Sequence, residues 1–188
     1  MKTIGTVFWI VVCIFAGSNA FSAQAMKSDS IYQLRSQWTT ERGDKISIEA
    51  FRGKPAVVAM LYTSCQGACP LVVSDMQKIE KGLAPALLQK THFLLVSFDP
   101  KDDTPAKLAQ YASDHALDLK RWTLMTGSVE AVRDLAAALD VRYRRLQNGE
   151  YSHSTVISVL DPEGVIRFQQ RGVKSSPQEA IAALKSSS

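Results

Sequence analysis

Residues 55–70 have the sequence PAVVAMLYTSCQGACP. The segment begins with a continuous apolar run, residues 55–61, which is typical of a strand buried on both faces of a parallel sheet. Apolar residues at helical spacing follow the second cysteine, so a helix is predicted from Cys69 to about residue 88. This strand–loop–helix unit places Cys65 just beyond the carboxyl end of a parallel strand, where open α/β sheets build their functional sites.

The rest of the chain alternates strands and helices. The patterns predict a hairpin at residues 38–48, strands at residues 93–98 and 121–125, and helices at residues 104–116 and 128–139. Two further hairpins are predicted to turn at residues 148–149 and 161–164, and a capping box at residues 176–179 indicates a closing helix. This order predicts an α/β fold of three layers, with a central mixed β-sheet flanked by helices and an N-terminal β-hairpin.

The N-terminus indicates export. Lys2 precedes an apolar run at residues 4–16, and two small-x-small sites end at Ala20 and Ala25. Residues 1–25 are therefore predicted to be a signal peptide, with an uncleaved membrane anchor as the alternative. Export from a bacterial cytoplasm predicts a periplasmic protein, soluble or anchored to the inner membrane, in an oxidising compartment. Residues 26–188 are predicted to form a single domain.

The charge balance excludes one class of partner. The formal net charge is +4, and Lys2 is the only charged residue among residues 1–25, so the predicted domain carries +3. Such a weak and dispersed charge argues against nucleic acid binding. One local basic cluster contains Arg142, Arg144 and Arg145. It is interpreted as a solvated face, with contact to an acidic partner as the alternative.

The two cysteines of the predicted domain, Cys65 and Cys69, carry its most specific chemistry. Their spacing separates the side chains by about one helical turn, roughly 5–6 Å between Cβ atoms. It is not the Cys-x-x-Cys spacing of a standard thioredoxin-type redox motif. Because a helix N-terminus favours thiolate, both cysteines are candidate thiolates. Three interpretations remain open: a structural disulfide, a redox-active dithiol and a soft-metal site.

A histidine favours the metal site. Among the three histidines, His92 and His115 lie in a predicted strand and a predicted helix, where structural or surface roles are expected. His153 lies in a predicted loop immediately before a core strand. In a thioredoxin-like sheet that loop approaches the first strand–helix junction, and so the cysteines. Two sulfur ligands and one imidazole nitrogen suit copper.

The chain resembles the Sco/SenC family of thioredoxin-fold copper proteins. The likeness is carried by motifs in family order across the predicted domain: residues 63–70, residues 97–105, His153-Ser154 and residues 160–164. The resemblance implies a thioredoxin-like fold and a copper ion, Cu(I) or Cu(II), bound by Cys65, Cys69 and His153. It also implies that Asp99 lies beside the site as an accessory oxygen group, while Asp103 is expected to serve the start of the following helix.

This resemblance implies a copper chaperone or assembly factor for a dinuclear copper centre, with a copper-accepting partner such as a cytochrome c oxidase subunit. The second hypothesis is an enzyme, a thiol–disulfide oxidoreductase that keeps the partner's cysteines reduced. In that case Cys65 and Cys69 are the catalytic, redox-active pair, because exchange through a mixed disulfide requires only thiols. His153 separates the two hypotheses, since only copper binding needs it.

Overall fold

The computed structural model describes residues 27–187, so the predicted leader at residues 1–25 lies outside the described residues. The described chain contains nine strands and five α-helices. The strands are β1 (Gln37–Thr40), β2 (Lys45–Ser47), β3 (Ala56–Leu61), β4 (His92–Ser97), β5 (Trp122–Gly127), β6 (Tyr143–Arg145), β7 (Tyr151–His153), β8 (Val156–Leu160) and β9 (Ile166–Arg171). The helices are α1 (Cys69–Gly82), α2 (Pro85–Leu88), α3 (Pro105–Asp114), α4 (Val129–Ala138) and α5 (Gln178–Ser186).

Seven of these strands form the mixed sheet predicted from the sequence, in the order β2-β1-β5-β4-β3-β8-β9. Strands β3, β4 and β5 are parallel, whereas β8 pairs with β3, and β1 with β5, in the antiparallel direction. The crossovers through α1 and α3 run in the same direction across the sheet, so right-handed connections place both helices on one face. The connection through α4 returns in the other direction and covers the opposite face. The α/β fold with a flanked mixed sheet and an N-terminal hairpin is confirmed.

The centre of the sheet is apolar on both faces, as the run at residues 55–61 predicts. All six residues of β3 are buried, and five of the six in β4. The N-terminal hairpin closes one side of this core through Trp38, which is fully buried. A Cβ atom at Gly127 would lie 2.8 Å from the Trp38 ring, so this approach requires a glycine.

The single helix predicted from Cys69 to residue 88 is wrong. It is divided into α1 and the short α2. Leu83 and Ala84 between them are extended, with ψ values of 139° and 147°. Pro85 explains the break, because a residue that precedes proline is sterically disfavoured in the α region.

The predicted capping box at residues 176–179 is also wrong. The Ser176 hydroxyl donates to the side-chain oxygen of Gln178, and helix α5 begins with Pro177 at the N-cap and no side-chain cap. The hairpin around residues 148–149 does form, as β6 and β7, with Gly149 at a φ of +85°. Its Tyr143 pairs with His153, which therefore lies on a strand and not in the predicted loop.

Among residues 27–187, no helix has the length and apolar character needed to cross a membrane.

Candidate metal centre

The two cysteines lie where β3 passes into α1. Residues 62–68 form the connecting loop, and Cys69 is the first residue of α1. Both sulfurs belong to free thiols. Cys65 is 9% exposed, whereas Cys69 is completely buried. Both cysteines are therefore buried, and Cys65 is the nearer of the two to solvent.

His153 reaches this loop from β7. Its Nε2 atom lies 3.9 Å from Cys65 Sγ and 3.6 Å from Cys69 Sγ. Its Nδ1 atom lies 3.2 Å from the Ser154 carbonyl oxygen. A proton on Nδ1 donated to that carbonyl leaves the Nε2 lone pair free for a metal ion, as in metal-binding histidines generally. In the metal-free site, a proton on Nε2 makes the same nitrogen a donor to the Cys65 thiolate.

The three side chains are spaced as a shared ion requires. The Sγ atoms and the imidazole nitrogen all lie within 4.8 Å of one another. With metal–sulfur and metal–nitrogen bonds of about 2.3 and 2.0–2.1 Å, trigonal or tetrahedral angles separate sulfur from nitrogen by about 3.6–3.8 Å. The observed separations of 3.6 and 3.9 Å fit this range closely. Within residues 27–187, no other group of three histidine, cysteine or acidic ligand atoms is gathered in this way.

The two thiols differ in acidity, and in the metal-free site only Cys65 has a lowered pKa. Burial raises the pKa of Cys65, but hydrogen bonds from Cys69, His153 and backbone N–H groups outweigh burial and lower it to about 7. Burial and the adjacent Cys65 raise the pKa of Cys69 well above its usual range. The metal-free site therefore holds one thiolate near neutral pH, at the more exposed cysteine.

Asp103 holds the cysteine loop in place, and does not serve the start of α3 as expected. Its carboxylate accepts hydrogen bonds from the Thr63 N–H (3.0 Å), the Thr63 hydroxyl (2.5 Å) and the Ser97 hydroxyl (2.5 Å). Thr104 caps α3 instead, accepting from the Lys107 N–H. Asp103 is only 2% exposed, so it is a buried connection between the cysteine loop and the end of β4.

Asp99 contacts Tyr151, two residues before His153, and its carboxylate is not part of the group of ligand atoms. Its Oδ1 atom accepts from the Tyr151 hydroxyl at 3.1 Å, and Tyr151 lies two residues before His153 on β7. The Tyr151 N–H donates to the Tyr62 hydroxyl at 3.4 Å, in the cysteine loop. These two bonds fix β7, and with it His153, against the ends of β3 and β4.

Aromatic rings surround the imidazole. The Phe98 ring centroid lies 5.2 Å from that of His153, and Tyr62 meets His153 edge-on at 6.0 Å. Phe98 also packs against Tyr151 at 5.3 Å. The site therefore has an apolar wall, which strengthens electrostatic interactions by lowering the local dielectric constant.

The other two histidines have structural contacts, as expected. His92 lies on β4 and packs edge-on against Phe51 at 5.5 Å. His115 donates from Nδ1 to the Tyr111 carbonyl at 2.9 Å and stacks on the Tyr111 ring.

Sequence reasoning missed the roles of Asp103, Tyr62 and Tyr151. For Asp103 a signal was present. Thr104 followed by Pro105 is already a complete helix start, so a further aspartate beside it is free for another role. The two tyrosines have no comparable local signal, because their contacts join segments that are distant in sequence.

Comparison with known proteins gives a family match over nearly the whole chain. A family model described as SCO1/SenC matches residues 24–187. The SCO1 protein homolog of Bacillus subtilis (strain 168) is 23% identical over 191 residues, which cover 99% of this chain and 95% of that protein.

Solved structures share the fold. A SCO1/SenC family lipoprotein from Bacillus anthracis is 25% identical with a TM-score of 0.73, covering 80% of this chain and 91% of that one. Bradyrhizobium japonicum ScoI, solved with copper bound, is 24% identical with a TM-score of 0.68, covering 81% and 97%. These neighbours have the thioredoxin-like fold, which confirms the predicted fold family.

Proposed function

Because the chain belongs to the SCO1/SenC family, we propose that it is an exported copper chaperone that supplies a dinuclear copper centre such as that of cytochrome c oxidase. Cys65, Cys69 and His153 are the copper ligands in this proposal. The observation that carries it is the convergence of their three ligand atoms within 4.8 Å. Thiolates select Cu(I) and imidazole suits copper, so the donor set supports this metal. The copper bound to the B. japonicum neighbour supports it as well.

Copper is the cargo in this proposal, so the site must both hold it and release it. Cys69 is completely buried, whereas Cys65 keeps 9% of its surface exposed, so an accepting thiol reaches the Cys65 side of the site first. Exchange then proceeds from the exposed ligand toward the buried one. Because Cys69 retains its proton in the metal-free protein, loading the site displaces that proton, and copper affinity rises with pH.

Delivery of copper in this proposal takes place outside the cytoplasm. Two observations support export: the signal-peptide pattern of residues 1–25, and the description of the B. anthracis neighbour as a lipoprotein. The chain is then periplasmic, either soluble or held at the inner membrane, with a cytochrome c oxidase subunit as the expected recipient.

A second candidate function is favoured by the difference between the thiols. As an oxidoreductase, the Cys65 thiolate attacks one sulfur of a partner disulfide and forms a mixed disulfide, releasing the partner's other sulfur as thiolate. Cys69 then loses its proton and attacks Cys65 Sγ. The partner leaves with both cysteines reduced, and the two electrons come from the oxidation of the Cys65 and Cys69 thiols to a disulfide. The lowered pKa of Cys65, about 7, suits the attacking role.

The His153→Ala variant tests the proposal. Copper titration of the reduced domain is expected to give one Cu(I) per chain in the wild type. His153→Ala should weaken Cu(II) binding by more than about a hundredfold, since losing a ligand exceeds the 10–100-fold effect of residues that only orient ligands. His115→Ala is the matched control, because that imidazole contacts Tyr111 of α3 and is not one of the clustered ligand atoms.

Disulfide reduction, measured on the same two variants, separates the candidates. If copper affinity is unchanged in His153→Ala and disulfide-reductase activity is strong, the chaperone function is rejected in favour of the oxidoreductase function.

A further inference from the structure

A recess lies beside the metal centre. It has a volume of about 530 Å³ and opens between the segment that follows β4, the first turn of α4 and the β6–β7 hairpin. Phe98, Tyr143 and Tyr151 contribute aromatic surface to it, and Phe98 stacks on Tyr143 at 5.2 Å. Val129, on the rim, is 54% exposed and is the one large hydrophobic residue so exposed within residues 27–187.

The recess is strongly cationic. Four of its lining side chains are the exposed Lys101, Arg133, Arg144 and Arg145, whereas its one lining carboxylate, Asp99, is buried and accepts from Tyr151. Arg145 lies 3.5 Å from Asp102. Within the described part of the chain, Lys101, Arg133 and Arg144 form no ion pair with a carboxylate at 4 Å or less. Their charges are therefore available to an external anion.

The recess and the metal centre share a wall. Phe98 lines the recess and lies 5.2 Å from the His153 ring, and Tyr151 of the same wall is two residues from His153. A protein segment seated in the recess is therefore held next to the imidazole. This position suits a protein that must receive copper from the site that contains His153.

We propose that the recess is the docking site for an acidic segment of the copper acceptor, in which one apolar side chain lies on the aromatic floor between flanking carboxylates. The inference rests on the proposed function for the acceptor's identity, and on charge complementarity for the chemistry of the segment. The carboxylates meet Lys101, Arg133 and Arg144 on the rim, and electrostatic steering accelerates such an encounter. A membrane fits this recess less well, because within residues 27–187 Val129 is the only large apolar side chain so exposed and the aromatic surface is recessed. Of the two interpretations of the basic cluster, contact with an acidic partner is thus favoured for Arg144 and Arg145.

The probe for this site is a fluorescently labelled peptide, Glu-Asp-Leu-Asp-Glu, compared with its amide analogue Gln-Asn-Leu-Asn-Gln. Anisotropy is expected to show at least about tenfold tighter binding of the acidic peptide to the wild-type chain, weakening between about 10 mM and 150 mM salt. Nuclear magnetic resonance should show shifts of the Tyr143 and Tyr151 ring signals.

The double variant Arg133→Glu, Arg144→Glu should lose at least about tenfold in peptide affinity. Val129→Asp, a second variant on the rim, should weaken binding too.

The matched control is Arg35→Glu, Lys185→Glu, which makes the same change in net charge at two exposed positions outside the recess. It should retain the wild-type peptide affinity. Equal binding of the two peptides, or equal losses in the two double variants, would overturn the proposal. So would binding to phosphatidylglycerol vesicles without peptide binding, or self-association that only Arg133→Glu, Arg144→Glu abolishes.

Copper titration of the same proteins separates this inference from the proposed function. Copper affinity should be unchanged in Arg133→Glu, Arg144→Glu, because neither residue contacts a ligand. A wild-type chain that binds the acidic peptide but no copper would refute the chaperone and leave the acidic-peptide site standing.

Discussion

Cys65 and Cys69 are separated by three residues but occupy different environments. Cys65 is within reach of hydrogen-bond donors that stabilise a thiolate, whereas Cys69 is enclosed by the core at the start of α1. The helix N-terminus alone would favour thiolate at both positions. Desolvation prevails at Cys69, because complete burial disfavours the charged form.

A pH titration of the reduced, metal-free domain tests this asymmetry. The ultraviolet absorbance of thiolate should rise by one thiolate per chain with a midpoint near pH 7, as Cys65 loses its proton. Cys69 should ionise only in strongly alkaline solution. Alkylation of the protein should therefore increase as the pH rises through 7.

Two variants identify the thiol that titrates. Cys65→Ser should remove the step near pH 7, and His153→Ala should move it to higher pH by removing a hydrogen bond to the thiolate. A step that survives in Cys65→Ser would assign the lower pKa to Cys69 and contradict the asymmetry.

The cysteines and His153 could be singled out from the sequence because each follows or precedes a recognisable strand. The loop of His153 was expected near the cysteines, and the structure brings the three together. The unequal acidity of the thiols could not be predicted, since it depends on the depth of burial of Cys69. That depth is set by residues far away in the sequence.

At the scale of elements, the site depends on a connection between two loops. The loop between β3 and α1 carries Cys65, and the segment between β4 and α3 carries Asp103. The Asp103 carboxylate accepts three hydrogen bonds from Thr63 and Ser97. Without it, the cysteine loop loses its main polar attachment to the sheet.

The Asp103→Asn variant tests this connection. An amide offers one acceptor oxygen where the carboxylate offers two, so at least one buried donor loses its partner. We expect a loss of about 1–3 kcal/mol in the free energy of unfolding, the usual result of leaving a buried donor unpaired. Copper affinity should fall as well, because Cys65 is displaced relative to His153.

Asp102→Asn is the neighbouring control. That carboxylate is 47% exposed and pairs with Arg145 at 3.5 Å, so its loss should change the unfolding free energy by less than about 1 kcal/mol. Urea unfolding and copper titration measure both effects. Wild-type values for Asp103→Asn would show that the loop is held by its backbone alone.

Most elements could be predicted from local patterns, and the exceptions have local causes. The helix starts at residues 104 and 128 and the turn at residues 148–149 form as predicted, with Thr104 and Ser128 as N-caps. The helix break before Pro85 was missed because apolar spacing continued through it. At residues 176–179, Ser176 bonds to Gln178 and so leaves the predicted capping box unformed.

At the scale of the molecule, the metal centre joins parts that the fold connects only weakly. The β6–β7 hairpin has strands of three residues each and pairs with no strand of the main sheet. Its polar ties to the segments around the site are the bonds of Tyr151 to Tyr62 and Asp99 and the ion pair of Arg145 with Asp102. The alternation of strands and helices predicted the main sheet, but not which contacts attach this hairpin to it.

Amide hydrogen exchange with and without Cu(I) tests whether the ion completes that attachment. An ion held by Cys65, Cys69 and His153 ties the hairpin to the cysteine loop, so protection should increase at residues 62–69 and 143–153. Ligand binding stabilises the bound state by about 2.7 kcal/mol at a hundredfold excess over Kd, which sets the upper limit of the gain. Strands β8 and β9, already paired within the sheet, should change little. In His153→Ala the increase in amide protection should be confined to the cysteine loop. An equal increase in protection across β8 and β9 would mean that copper stabilises the whole domain without joining the hairpin to the cysteine loop.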